Sequence, residues 1–170
     1  ENQGAILALA TVLGHHDVAT VAGIERPADW RALRRALQPV SLHGREDWVR
    51  HFLVSAAITQ FSAAAVSDAA GLLKEELDAE RRSGFSFGDL LADRAGTRFG
   101  ELAARGERAA RGLQGVLAAG VPLGDLMPPG ADLPEGMSDA ELEARFGGVG
   151  GRGYQGIMAE IEARLAALPV

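Results

Sequence analysis

One histidine and a group of acids near the middle of the chain have the residue types that chemistry needs. On a wheel of about 100° per residue, residues 45–62 put Trp48, Val49, Phe52, Leu53 and Ala56 on one side. Val54, Ala57, Ile58 and Phe61 cover much of the other. Between them runs a narrow polar stripe of His51, Ser55, Thr59 and Ser62. A helix that is apolar on two sides is central in its fold. His51 is therefore expected to be partly buried and to need a hydrogen-bond partner. It is either a core histidine tied to a carboxylate, or a general base or metal ligand.

The acids that could meet it belong to two later helices. Residues 67–82 carry Lys74, Glu75, Glu76 and Asp78 around a core face of Ala69, Ala70, Leu72, Leu73 and Leu77. Glu76 falls beside that face. Glu75 and Asp78 fall on the other side, where Lys74 and Asp78 can pair at i,i+4 if the helix lies on the surface. Residues 86–104 put Phe87, Leu91, Ala95, Phe99 and Leu102 on one face and Asp89, Asp93, Gly96 and Gly100 on the opposite one. Two acids at i,i+4 repel by roughly a few tenths of a kcal/mol, and each helical glycine costs about 1 kcal/mol relative to alanine. A solvated face gains nothing from either choice. The expectation is that this face packs inward, with another helix passing close over Gly96 and Gly100. The acids then meet His51, Lys74, Arg94 or Arg98.

An inward cluster of this composition has three uses. The first is a structural ion-pair network that fixes helix register. The second is a divalent cation site, since carboxylates with one imidazole suit a hard or borderline ion; His51, Glu75 and Asp93 are the ligand candidates. The third is acid–base hydrolysis of a glycan or peptidoglycan by carboxylates whose pKa values are pushed apart. There Glu75 or Asp93 is the acid, His51 the base, and Lys74 and Arg98 tune the charges, with Asp78 and Asp89 as further binding groups. No cofactor is required by the sequence, and a divalent metal is the one the residues could hold.

The elements that position these groups are helices. Residues 5–13 are apolar nearly all round, and Gly14 is a stop. His15-His16-Asp17 opens a short segment ending near Gly23. Adjacent histidines on a helix point about 100° apart, which works against a shared metal ion there. A helix starts near Pro27 and Asp29, runs to about Leu37 and is closed by Pro39. Further helices cover 45–62, 67–82 with Ser67 as N-cap, 86–104 with Ser86 as N-cap, and roughly 107–119. Residues 120–137 form a long proline- and glycine-rich loop, of a length that packs on the surface or serves function. Ser138 and Glu141 form a capping box for a helix to Phe146. The run 147–153 (GGVGGRG) reads as a flexible connection: no strand precedes it and no Gly-Lys-Ser/Thr follows, so a phosphate loop is the weaker reading. A last helix spans about Tyr154 to Leu168.

The chain has 170 residues, 47% of them hydrophobic and only 5% aromatic. Alanine and leucine supply most of the apolar content, which favours close-packed helices over a β-sandwich. The expected fold is one all-α domain over 1–170, a bundle of about seven helices with the 45–62 helix central. The net charge is −6 with no basic stripe, which argues against nucleic acid and anionic membrane surfaces as partners. There is no cysteine, so disulfides, thiolate zinc sites and cysteine nucleophiles are excluded. No G-x-S-x-G and no H-E-x-x-H occurs, which argues against a standard serine hydrolase or zincin. The longest apolar stretch, about 52–66, is too short and too polar to span a bilayer.

The segment 51–100 reads HFLVSAA, GLLKEELD and SGFSFGDLLADRAGTRFG in turn. These motifs resemble those of a family of uncharacterised bacterial exported proteins, in which a His-Phe-x-x-Ser-Ala helix precedes a Lys-Glu-x-x-Asp helix and a Gly-Phe-Ser-x-x-Asp-Leu-x-Ala-Asp-x-x-Gly helix. The motif order is also similar to that of VanZ-like proteins and of small lipoproteins of unknown function. The VanZ-like proteins are membrane-embedded, whereas this chain has no spanning segment. LHGRED at 42–47 and the tail from Ala144 extend the likeness to about half the chain or more. The resemblance implies export, and it singles out His51, Lys74, Glu75, Asp78, Asp89 and Asp93. It prefers Glu75 where the wheel puts Glu76 nearer the core, and it implies no established activity. A first residue that is not Met fits a removed signal peptide or a trimmed chain boundary, and with the resemblance it makes a periplasmic or secreted location the expectation. A cell-envelope polymer or protein is the expected partner. The leading reading is an envelope protein with a structural cluster, followed by an envelope-polymer hydrolase and a metal-binding module.

Overall fold

The computed structural model describes residues 1–25, 28–37, 39–62 and 84–169. The helix expected over 67–82, with Lys74, Glu75, Glu76 and Asp78, lies outside these residues. Among the described residues the fold is all-α, with no strand and two isolated bridges, Leu42 with Arg45 and Phe85 with Met137. Helix α1 (Asn2–Leu9) continues into a π-helical turn, Ala10–Gly14. Then come α2 (Asp17–Val21), α3 (Trp30–Ala36) and α4 (Glu46–Ile58). The second half holds α5 (Phe87–Ala104), α6 (Glu107–Ala118), α7 (Leu123–Leu126), α8 (Asp139–Phe146) and α9 (Arg152–Ala166). The described helices exceed the expected number because α2 and α7 are single turns, too short to show a helical period.

Helix α4 lies at the centre, against α5. Trp48, Phe52 and Ala56 of α4 and Leu91, Ala92 and Ala95 of α5 are all buried, and the rings of Phe52 and Phe99 lie 5.4 Å apart. The glycines of α5 explain how closely the two helices cross. A Cβ on Gly96 would overlap the Phe52 carbonyl oxygen, and one on Gly100 would meet Thr59 Oγ1 and the Ala56 backbone. The α4 helix ends a turn earlier than its apolar pattern suggests. Thr59 Oγ1 donates to the Ala56 carbonyl at 2.8 Å. Gln60 Nε2 donates to the Gly100 carbonyl at 2.9 Å. These side chains engage the backbone just where the helix ladder stops.

Ser86 caps α5 by accepting from the Asp89 amide at 3.0 Å, which fixes where Asp89 and Asp93 project. The 120–137 loop is a cover over the core: Met127, Leu133 and Met137 are buried. Its end pairs with the residues before α5, since Phe85 N donates to Met137 O at 2.7 Å and Met137 N to Phe85 O at 3.0 Å. A Cβ on Gly84 would lie 2.7 Å from the Gly136 carbonyl carbon, so the two segments need glycine there. The capping box of α8 forms as expected between Ser138 and Glu141. Gly147 ends that helix in the left-handed conformation. No described helix is long and apolar enough to cross a membrane.

Candidate functional site

His51, Asp89 and Asp93 come together at the crossing of α4 and α5. The His51 side chain is 1% exposed. Its Nδ1 lies 3.3 Å from Asp93 Oδ1, and its Nε2 lies 3.6 Å from Asp89 Oδ2. The two acids are one turn apart on α5, so the imidazole sits between them and turns a different ring nitrogen to each. Only an imidazolium can donate to both. Ser55, one turn after His51 on the polar stripe of α4, donates from Oγ to Asp93 Oδ1 at 2.8 Å. The i,i+4 repulsion read from the sequence is thus offset by a histidine placed between the acids.

The two carboxylates differ in surroundings. Asp93 is held by His51 and Ser55. Asp89 is less exposed, 13% against 30% for Asp93, and its Oδ1 is buried without a hydrogen-bond partner. Burial pushes the Asp89 carboxyl above its ordinary value, against the pull of the nearby His51 charge. Arg45, at the N-cap of α4, approaches Asp89 Oδ1 only to 3.9 Å. Its guanidinium is engaged by Asp47 and by Glu135 at 2.7 Å, which hold it above its ordinary value. The same hydrogen bonds from Arg45 hold Asp47 below the usual carboxylate range. Arg45 also lies over the Trp48 ring, 4.9 Å from its centroid.

Asp89 and Asp93 open on a cavity of about 520 Å³. The other walls are mainly apolar and come from Phe85, Leu90, Met137, Leu142, Val149 and Tyr154. Carboxylates that line an apolar cavity can bind a cation or a hydroxyl, or deliver a proton.

The remaining expected residues fall elsewhere. Arg98 is exposed and lies about 140° around α5 from Asp93. Arg94 is exposed and pairs with Glu162 at 3.5 Å. Among the described residues, the metal set named from the sequence is reduced to His51 and Asp93, which face each other directly. His51, Asp89 and Asp93 do not point at one common centre. Sequence reading missed Arg45, Glu135 and the walls at Phe85, Met137 and Tyr154. The one available signal was Arg45 in LHGRED, just before the first turn of α4. Glu135 and the walls are brought in by the loop and by α8 and α9, which no local pattern connects to His51.

Compared with known proteins, the chain matches no family model, no curated protein and no solved structure.

Proposed function

We propose that this is a bacterial envelope protein whose central cluster both fixes the α4–α5 register and presents a carboxylate to a ligand. In this reading the 520 Å³ cavity takes the apolar body of an amphipathic molecule. Asp89, with Asp93 beside it, takes a cationic or hydroxyl-bearing head. The observation that supports this most is that two carboxylates one turn apart, Asp89 and Asp93, line one side of a mainly apolar cavity. The envelope location rests on the resemblance of the His51, Asp89 and Asp93 motifs to those of exported proteins.

A paired-probe experiment tests the ligand reading. Dodecylamine and dodecanol, below their aggregation concentrations, share a chain and differ in the charged head. The amine is expected to raise the melting temperature of the full chain more than the alcohol does, and Asp89→Asn is expected to remove that difference. Equal shifts from both probes in the two proteins would leave the cluster with a structural role alone.

A second reading, hydrolysis of an envelope polymer, is favoured by the raised pKa of Asp89, as a general acid requires. Release of soluble fragments from dye-labelled peptidoglycan, lost in Asp89→Asn, would support it. No release above a buffer control would remove it.

A further inference from the structure

A second group of ligand-type side chains lies away from the central cluster, where the π-helical turn after α1 ends. His15 has an extended backbone, φ −124° and ψ 130°, and only His16 and Asp17 enter the α2 turn. The argument that neighbouring helical histidines diverge by about 100° therefore does not apply. The chain folds the two rings together, with centroids 4.7 Å apart. Asp17 reaches both: His15 Nδ1 lies 3.7 Å from Oδ2, and His16 Nε2 lies 3.5 Å from Oδ1.

We propose that His15, His16 and Asp17 bind one borderline divalent transition-metal ion, of the Zn²⁺, Ni²⁺ or Cu²⁺ class. One ligand atom from each residue lies within 4.8 Å of the other two. Ligands of a tetrahedral ion with bonds near 2.0–2.2 Å stand about 3.4 Å apart, so small side-chain rotations close the set. Two imidazoles and one carboxylate select this class of ion over Mg²⁺ or Ca²⁺, which take oxygen ligands. Three protein ligands leave a fourth position open to water.

One further feature fits a ligand set held in place. The His16 ring stacks on Trp30, with centroids 5.5 Å apart and planes within 8°. That contact fixes the imidazole plane, as supporting contacts around metal ligands do. The Asp17 amide donates to His15 Nδ1 at 3.3 Å, so that nitrogen is unprotonated and an ion bound there would replace this hydrogen bond. The groups do not belong to the Asp89 site, and the proposal stands whether or not that site binds a ligand.

The test is titration of the chelator-treated full chain with ZnCl₂ and NiCl₂ by calorimetry, and with CuCl₂ by electron paramagnetic resonance. One ion per chain is expected, and the copper spectrum should show coupling to two imidazole nitrogens. His16→Ala and Asp17→Asn are each expected to weaken binding by about tenfold or more. His43→Ala should leave it unchanged, because His43 is not among the clustered ligands and its Nε2 lies 2.8 Å from the Met127 carbonyl. Nickel should also quench fluorescence in a Trp48→Phe variant, where Trp30 is the remaining tryptophan. Unchanged affinity in both His16→Ala and Asp17→Asn, or no binding of any of the three ions, overturns the proposal. Melting curves of the same variants separate lost binding from lost folding.

Discussion

The carbonyl oxygen of Phe52 occupies the space that a Cβ on Gly96 would need. This single relationship sets how close α4 and α5 approach, and thereby how far His51 is from Asp89 and Asp93. Gly96→Ala is expected to destabilise the protein by about 3 kcal/mol, since backbone must move and no flexible side chain can give way. Gly115→Ala, in α6 where nothing lies within 4 Å, should instead stabilise by about 0.5–1 kcal/mol. Urea denaturation of the two variants makes the comparison, and equal effects would contradict the close crossing.

Asp89 gives a pH signature. Its folded pKa is raised above the ordinary value of 3.8. The folded state therefore binds this proton more tightly than the unfolded state does. Relative to low pH, the group costs stability as pH rises from 3.8 through the folded pKa. Asp89→Asn removes that cost. The variant should melt like the parent at the acid end and at higher temperature near neutrality, with the gap opening across that window. A gap that closes as pH rises would mean that the carboxylate is stabilised in the fold.

His51 separates the two carboxylates. His51→Ala should cost about 2–3 kcal/mol, below the full cost of breaking a buried pair because Asp93 is 30% exposed. Adding Asp89→Asn to that variant should recover part of the loss, with a coupling of about 1 kcal/mol. A double-mutant cycle by chemical denaturation reads this directly, and strict additivity would mean that the pair does not interact.

The capping box of α8 offers a local test. Ser138 Oγ accepts from the Glu141 amide at 3.3 Å, and Glu141 Oε2 accepts from the Ser138 amide at 2.8 Å. Ser138→Ala should cost about 1 kcal/mol. Amide exchange is expected to rise first in the opening turn of α8, and protection unchanged there would count against the cap.

Local signals in the sequence were reliable where one residue type does one job. Ser86 and Ser138 marked helix starts because a side-chain oxygen must meet a free amide. Gly96 and Gly100 marked a close crossing because their helical cost had no other return. The meeting of His51 with Asp89 and Asp93 followed from both faces being turned inward. Three features were not legible. The early end of α4 depends on Thr59 and Gln60 turning back to the backbone. His15 is not placed by helical geometry, because its backbone is extended. The cavity walls are joined across long stretches of chain, and Arg45 reaches Glu135 at a separation of 90 residues. Lys74, Glu75 and Asp78 lie outside the described residues.

The reciprocal hydrogen bonds between Phe85 and Met137 have a consequence for recognition. They join the strip that leads into α5 to the strip that leads into α8, and each strip supplies one wall of the cavity. The two walls are therefore held in register by the backbone itself. A ligand of the kind proposed would meet walls already in register, which lowers the ordering cost of binding. Under the proposed ligand reading, discrimination among ligands would then depend on fit to a preset shape.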